Sequence, residues 1–184
     1  LWERRYRAPV LGFPTWSRNA PDRLVYVSSE SGVYQLHGWD LATGKRRQIT
    51  HEPVGLVSGH VSADGEWVLW HRDTTGDESG TWVAAPFLGG TPEPLAEGLP
   101  SGWDEGLAPG QKRTAAAISG RDGFALYVTE ADGTTRRLLQ STESIRLGGG
   151  EAMTRGGTEL AGLSADEHLV VIERRHAALA GRSA

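Results

Sequence analysis

Short apolar runs recur along this chain, each introduced by a tight polar turn. Asp22-Arg23 leads into Leu24-Val25-Tyr26-Val27, and Asp64-Gly65-Glu66 leads into Trp67-Val68-Leu69-Trp70. Gly110-Gln111-Lys112-Arg113 leads into Thr114-Ala115-Ala116-Ala117, and Asp166-Glu167-His168 into Leu169-Val170-Val171-Ile172. Two of these turns share a prefix, Val61-Ser62-Ala63-Asp64 and Leu163-Ser164-Ala165-Asp166. A second phrase closes the units, at Gln48-Ile49-Thr50, Pro94-Leu95-Ala96 and Leu138-Leu139-Gln140, with a spacing of about 45 residues. A repeat of that length built from four short strands predicts an all-β chain, a β-propeller of four-stranded antiparallel blades, with about three and a half to four blades forming part of a larger ring.

The blade units run over residues 16–50, 54–96, 102–140 and 159–176, with an amino-terminal arm at 1–15 and a tail at 177–184. Turn residues divide the first unit into strands 24–29, 33–40 and 45–50, and the second into 54–61, 66–71, 81–85 and 91–96. The third unit reads as strands 113–119, 124–130 and 134–140, and the fourth as 159–163 and 168–174. The Gly-rich stretch 148–157 before the fourth unit reads as a mobile loop. The middle strands do not alternate apolar with polar. Successive strand residues point to opposite faces, so these runs need cover on both sides, as stacked blades provide. The last strands carry basic pairs instead, Arg46-Arg47 and Arg136-Arg137, which protect an exposed edge from pairing with another chain.

The chain has 184 residues, enough for one domain with a substantial core. Its 25 glycines suit a turn-rich all-β fold, because hairpin turns need residues that tolerate positive φ. The net charge of −4 makes no case for nucleic acid, which calls for a basic face. With no cysteine there is no disulfide framework and no thiolate chemistry. No apolar run approaches the roughly 20 residues that span a bilayer, and the amino end has no signal-peptide core. No membrane partner and a cytoplasmic location are the expectations. A chain that opens on Leu1 and stops just after the central strand of a fourth unit reads as a processed product or an excised piece.

Candidate chemistry is sparse. The densest polar constellation is Asp73-Thr74-Thr75-Gly76-Asp77-Glu78, between the two middle strands of the second unit. Three carboxylates there offer oxygen ligands to a hard cation, yet the spacing does not fit a calcium-binding EF-hand loop. The loop is read as an interdomain or substrate-facing surface carrying Asp73, Asp77 and Glu78, against the plainer reading of a solvated turn. Gly162-Leu163-Ser164-Ala165-Asp166 comes nearest to a Gly-x-Ser-x-Gly nucleophile elbow, but its fifth residue is Asp and Ser62 occupies the same place in another repeat. The six histidines form no metal-binding pair. No catalytic, cofactor-binding or metal residue is therefore assigned, and no cofactor is expected. Trp67, Trp70 and Trp82 are expected in the core, while Trp16 and Trp103 are expected to lock neighbouring blades. Arg4, Arg5 and Arg7 make the amino-terminal arm basic.

Trp16-Ser17 leading to Pro21-Asp22-Arg23-Leu24-Val25-Tyr26-Val27-Ser28, followed by Gly32-Val33-Tyr34-Gln35-Leu36, resembles the repeat of TolB-like propellers. Arg5-Tyr6-Arg7-Ala8-Pro9-Val10 and the segment from Asp73 to Trp82 resemble the amino-terminal propeller of the prolyl oligopeptidase (S9) serine peptidase family, in its acylaminoacyl-peptidase and dipeptidyl-aminopeptidase-like branch. The likeness covers about residues 5–175. It implies a non-catalytic propeller that gates the access of short peptides to an α/β-hydrolase domain of the same parent protein, a domain these 184 residues do not contain. It also implies that loops joining the two middle strands share a face with the loops joining consecutive blades, which turns the 73–78 loop toward a domain packed there. The alternatives are a TolB-like protein-interaction propeller without activity and a propeller enzyme of lactonase or cyclase type. Open blade faces expose apolar strand residues, so self-association is expected.

Overall fold

Turn chemistry sets the strand ends. In a computed structural model that describes residues 8–147 and 162–175, every described element is a β-strand and no helix occurs. The fold is a β-propeller of antiparallel four-stranded blades. The chain divides into two compact units, one of residues 1–77 and 82–95, the other of residues 78–81 and 96–184.

The first unit opens with a complete blade, β1 (Leu11–Ser17), β2 (Ala20–Ser28), β3 (Gln35–Asp40) and β4 (Arg46–Gln48), paired antiparallel in chain order. The next blade is β5 (His60–Val61), β6 (Trp67–Arg72), β7 (Ser79–Pro86) and β8 (Glu93–Pro94). The start of β7, Ser79 and Gly80, belongs to the second unit. Alternate residues of the middle strands build one core: Val25 and Val27 from β2, Val68 and Trp70 from β6, Val83 and Ala85 from β7, closed by Leu36, Leu56, Val61 and Phe87. Leu69 and Trp82 are buried as well.

In the second unit, β9 (Gly102–Pro109), β10 (Arg113–Gly120), β11 (Gly123–Glu130) and β12 (Thr135–Ser141) form another complete blade. Of the fourth blade, the described residues give β13 (Ser144–Arg146) paired to β16 (Glu173–Arg175) and β14 (Gly162–Leu163) paired to β15 (Val170–Val171). Ala115, Ala117, Leu126, Val128, Ile145 and Leu147 form the core of the second unit, with Leu163, Val170 and Ile172 packed against them.

The structure differs from the sequence expectation in definite places. Residues 54–61 form a strand only at His60–Val61, because Gly55 takes a φ of +81° and Leu56 N–H donates to Tyr34 O at 2.8 Å. Residues 91–96 pair only at Glu93–Pro94, where Pro92 and Pro94 lack ladder donors. The strand expected over 168–174 is split into β15 and β16, and of 159–163 only Gly162–Leu163 is described. β1 and β9 are strands the sequence reading did not mark; β1 takes in residues assigned to the arm, and Trp16 and Trp103 lie within these strands, both exposed. Trp67, expected in the core, is 39% exposed. Arg4, Arg5, Arg7, the 148–157 loop and the tail lie outside the described residues.

Trp70 is fully buried at the centre of the first core. Truncating it to Ala costs about 3–5 kcal/mol, read as a lower urea midpoint for the first unit.

Candidate functional site

The acidic loop leaves β6 at Arg72 and is folded by its own side chains. Asp73 Oδ1 accepts the backbone N–H groups of Thr75 and Gly76, both at 2.8 Å, while Thr75 Oγ1 donates to Asp77 Oδ1 at 2.8 Å. This is an Asx turn, in which a carboxylate stands in for a backbone carbonyl. Gly76 (φ +82°) and Glu78 (φ +64°) take left-handed conformations to finish it. Asp73 is half-buried, and Asp77 and Glu78 are exposed. Asp73 and Asp77 belong to the first unit and Glu78 to the second. Among the described residues no group of three or more His, Cys, Asp or Glu side chains is placed to hold a metal ion.

Within the first unit this loop shares a face with three others. A Cβ on Gly76 would lie 3.7 Å from Val54 Cγ1, on the 49–59 connection between blades. That connection rests on the β2–β3 loop, with Leu56 N–H bonded to Tyr34 O and Gly55 against Val33 and Tyr34. The β2–β3 loop in turn meets the segment before β1, where Ser29 N–H donates to Val10 O at 3.1 Å. Val10, Leu11, Val33, Tyr34, Val54 and Val57 are all exposed along this surface, Val57 at 79%. These exposed side chains lie on segments that meet through the loops of the first unit.

A buried polar network holds the surface from beneath. The Glu52 carboxylate, on the connection, accepts from Trp70 Nε1 at 3.1 Å and from Arg72 Nε at 2.7 Å. Gln35 on β3 clamps the same residue through its backbone, donating to Glu52 O at 2.7 Å and accepting from Glu52 N–H at 3.0 Å. Thr50 Oγ1 completes it, donating to Gln35 Oε1 and accepting from Leu36 N–H, each at 2.8 Å. The sequence reading missed this group. Its only signal is a Glu directly after the Gln48-Ile49-Thr50 closing phrase, with no partner nearby in sequence.

The remaining candidates are structural. Ser62 Oγ donates to Asp64 Oδ1 at 2.5 Å and accepts from Trp67 N–H at 2.9 Å. Ser164 does the same with Asp166 at 2.6 Å and Leu169 N–H at 3.0 Å. Two serines in identical roles stitch repeat turns, and neither is an activated nucleophile. The hydrogen bond from Ser164, then that from His168 N–H, holds the Asp166 carboxyl below its usual range. On β9, Asp104 Oδ1 caps Gly106 N–H at 2.7 Å, and Glu105 binds Ser119 Oγ and Arg146 Nε. The basic edge residues are also engaged: Arg47 Nη2 reaches the carbonyls of Pro86 and Phe87, and Arg46 lies 4.0 Å over the Trp39 ring.

No family model matches the sequence and no curated protein matches it. Solved structures do match in fold. TolB from Acinetobacter baumannii aligns at 20% identity with a TM-score of 0.58, over 91% of this chain and 38% of that one. The β-propeller domain of the trilobed protease from Pyrococcus furiosus, described as having an open velcro topology, aligns at 12% identity and 0.54, over 74% of this chain and 45% of that one. Porphyromonas gingivalis dipeptidyl peptidase 4 aligns at 11% identity and 0.56, over 85% and 26%. The chain thus spans less than half the length of each.

Replacing Glu52 with Ala leaves the buried Trp70 indole and the Arg72 guanidinium without their acceptor. A loss of about 2 kcal/mol is expected, with faster hydrogen exchange confined to residues 49–59 and 72–77. Burial pushes the His60 imidazole down to about 4, and its ring lies 5.9 Å from that of buried Trp82. The unfolded chain takes up this proton near pH 6.5, the folded chain only near pH 4. The stability held by neutral His60 is intact above pH 6.5 and is lost as pH falls toward 4, at most about 3 kcal/mol. Thermal melts at pH 7 and pH 4.5 should differ less for His60→Phe than for the wild type. In fold, this chain is a TolB-like propeller, similar also to the propellers carried by peptidases of the prolyl oligopeptidase group.

Proposed function

We propose that this chain is the non-catalytic propeller portion of a serine peptidase of the prolyl oligopeptidase family, gating short peptides on their way to an α/β-hydrolase domain. The observation that carries this reading is the loop face of the first unit, where Val10, Leu11, Val33, Tyr34, Val54 and Val57 stand exposed and Val54 lies beside the acidic loop. A surface of that kind, braced by the Glu52 network, fits a packed domain better than it fits water. Asp73 and Asp77 then form an acidic lip for basic groups of that domain or of the incoming peptide. The propeller contributes shape and exclusion, and the chemistry belongs to the hydrolase domain. Self-association through open blade faces is secondary to this packing.

A TolB-like interaction propeller is the second reading, favoured by the A. baumannii TolB alignment, which covers 91% of this chain. The two differ in what accompanies residue 184. Intact mass, peptide mapping and labelling with a serine-reactive fluorophosphonate are to be measured on protein from its native source. A species heavier than the 19.8 kDa of these residues, labelled at a serine beyond Ala184 and cleaving short peptides but not folded proteins, is the expected result. An unlabelled native species of 19.8 kDa overturns the peptidase reading and leaves the interaction propeller.

A further inference from the structure

The outer strands of the blades are not alike. In the first unit β4 has three residues and β8 two, and both arginines of β4 are engaged, Arg47 with the carbonyls of Pro86 and Phe87 and Arg46 with the Trp39 ring. In the second unit β12 has seven residues and ends its sheet, so that among the described residues no strand pairs with its far edge. A strand edge of that length presents a row of N–H and C=O groups to a neighbour.

The side chains along this edge carry one sign of charge. Arg136 and Arg137 are both exposed, and successive strand residues point to opposite faces, so one guanidinium flanks each side of the edge. Glu130 Oε1 lies 3.6 Å from Arg136 Nη2, but its other oxygen is held by Arg113 Nε at 2.7 Å. Two guanidinium groups thus share one carboxylate, while Arg137 Nη1 donates to a neutral acceptor, Gln140 Oε1, at 2.9 Å. The ladder to β11 passes from Arg137 to Leu139 and skips Leu138, which is 41% exposed. At the Thr135 end the charge reverses. An open groove of about 430 Å3 there is lined by Glu97, Gly98, Asp132, Gly133, Thr134 and Thr135.

A second copy paired along this edge brings two more guanidinium groups to the same seam, and like charges across a strand pair destabilise it. An acidic strand meets the opposite field. We propose that β12 is a docking edge for an extended acidic segment of a partner protein, which adds a strand to this blade. Its carboxylates meet Arg136 and Arg137 on the two faces, its apolar residues cover Leu138, and a basic residue at its end enters the groove of Glu97 and Asp132. Backbone pairing supplies the hold, and the charges supply the choice of partner. The contact lies on the last strand of the blade and does not depend on the peptidase reading.

The probe is a fluorescein-labelled peptide, Val-Thr-Val-Glu-Glu-Thr-Val-Lys, added to the protein expressed from its native gene. Its anisotropy is expected to rise to saturation, with hydrogen exchange slowed within residues 135–141. Arg136→Glu together with Arg137→Glu, both at exposed positions, is expected to weaken binding more than about tenfold, and a peptide with Lys-Lys in place of Glu-Glu to restore it. A peptide N-methylated throughout keeps the charges but loses the strand donors, and is expected not to bind. If the double Glu variant melts early, Arg136→Gln with Arg137→Gln takes its place and is judged by the same loss. No saturation, protection only outside 135–141, or binding that survives N-methylation or the double substitution overturns the proposal.

Discussion

A four-stranded blade has two apolar faces and cannot bury either by itself, and that constraint organises the chain. The middle strands are written for it: Val25 and Val27 on β2 meet Val68 and Trp70 on β6 and Val83 and Ala85 on β7 in one core. Association at roughly 25 cal/mol per Å2 of apolar surface drives blade onto blade, with no specific bond required. Specific bonds then fix the geometry. Arg23 Nη1 donates to Gly65 O at 2.8 Å and pairs with Glu66, and Arg113 Nη1 donates to Glu167 O at 2.8 Å. In both places an arginine at the start of one blade's second strand holds the turn of the following blade.

How much of this was legible depends on the range of the interactions. The middle strands announced themselves, because continuous apolar runs after Asp-containing turns are local features. The same locality marked a polar loop at 73–78 and identified the Ser62 and Ser164 turns as repeats. β1 was hidden by Gly12 and Pro14 and by the positive φ of Phe13, which breaks its ladder between Gly12 and Thr15. β9 was hidden by Asp104 and Glu105, whose charges interrupt the apolar signal although Glu105 is partly buried. The Glu52 network was invisible, since Gln35, Trp70 and Arg72 lie 17, 18 and 20 residues away and meet only once two blades stack. Reading Arg47 as an edge charge missed its reach to the Pro86 and Phe87 carbonyls for the same reason.

The candidate contact face follows from the blade geometry. Loops between β2 and β3 and between β6 and β7, together with the connection between blades, come to one side because antiparallel strands return the chain there after every second crossing. What this sequence adds is their content. The connection is anchored from below by a buried carboxylate, so its outer residues, Val54 and Val57, stay exposed without the segment losing its shape. An apolar surface on an ordered loop costs less entropy on binding than one that must first be ordered. The Asx turn at Asp73 does the same for the acidic rim, fixing the loop through its own carboxylate.

The repeat also shows how one geometry is reached by different residues. Gly65 and Glu167 follow equivalent aspartates, and both take positive φ, +77° and +58°. Glycine adopts that conformation freely; a glutamate there costs about 1 kcal/mol. The glutamate is kept because its carboxylate accepts three backbone N–H groups, from Gln111 at 2.6 Å and from Lys112 and Arg113 at 2.8 Å. Burial raises its pKa, but these three bonds outweigh burial and hold the carboxyl below its usual range. Charge-assisted bonds of this kind contribute about 1.5 kcal/mol each, enough to offset the backbone strain several times over. Gly110 makes the approach possible, since a Cβ there would lie 2.7 Å from the Glu167 carboxylate. Among the described residues, Glu167 thus pins the turn of the fourth blade to the third.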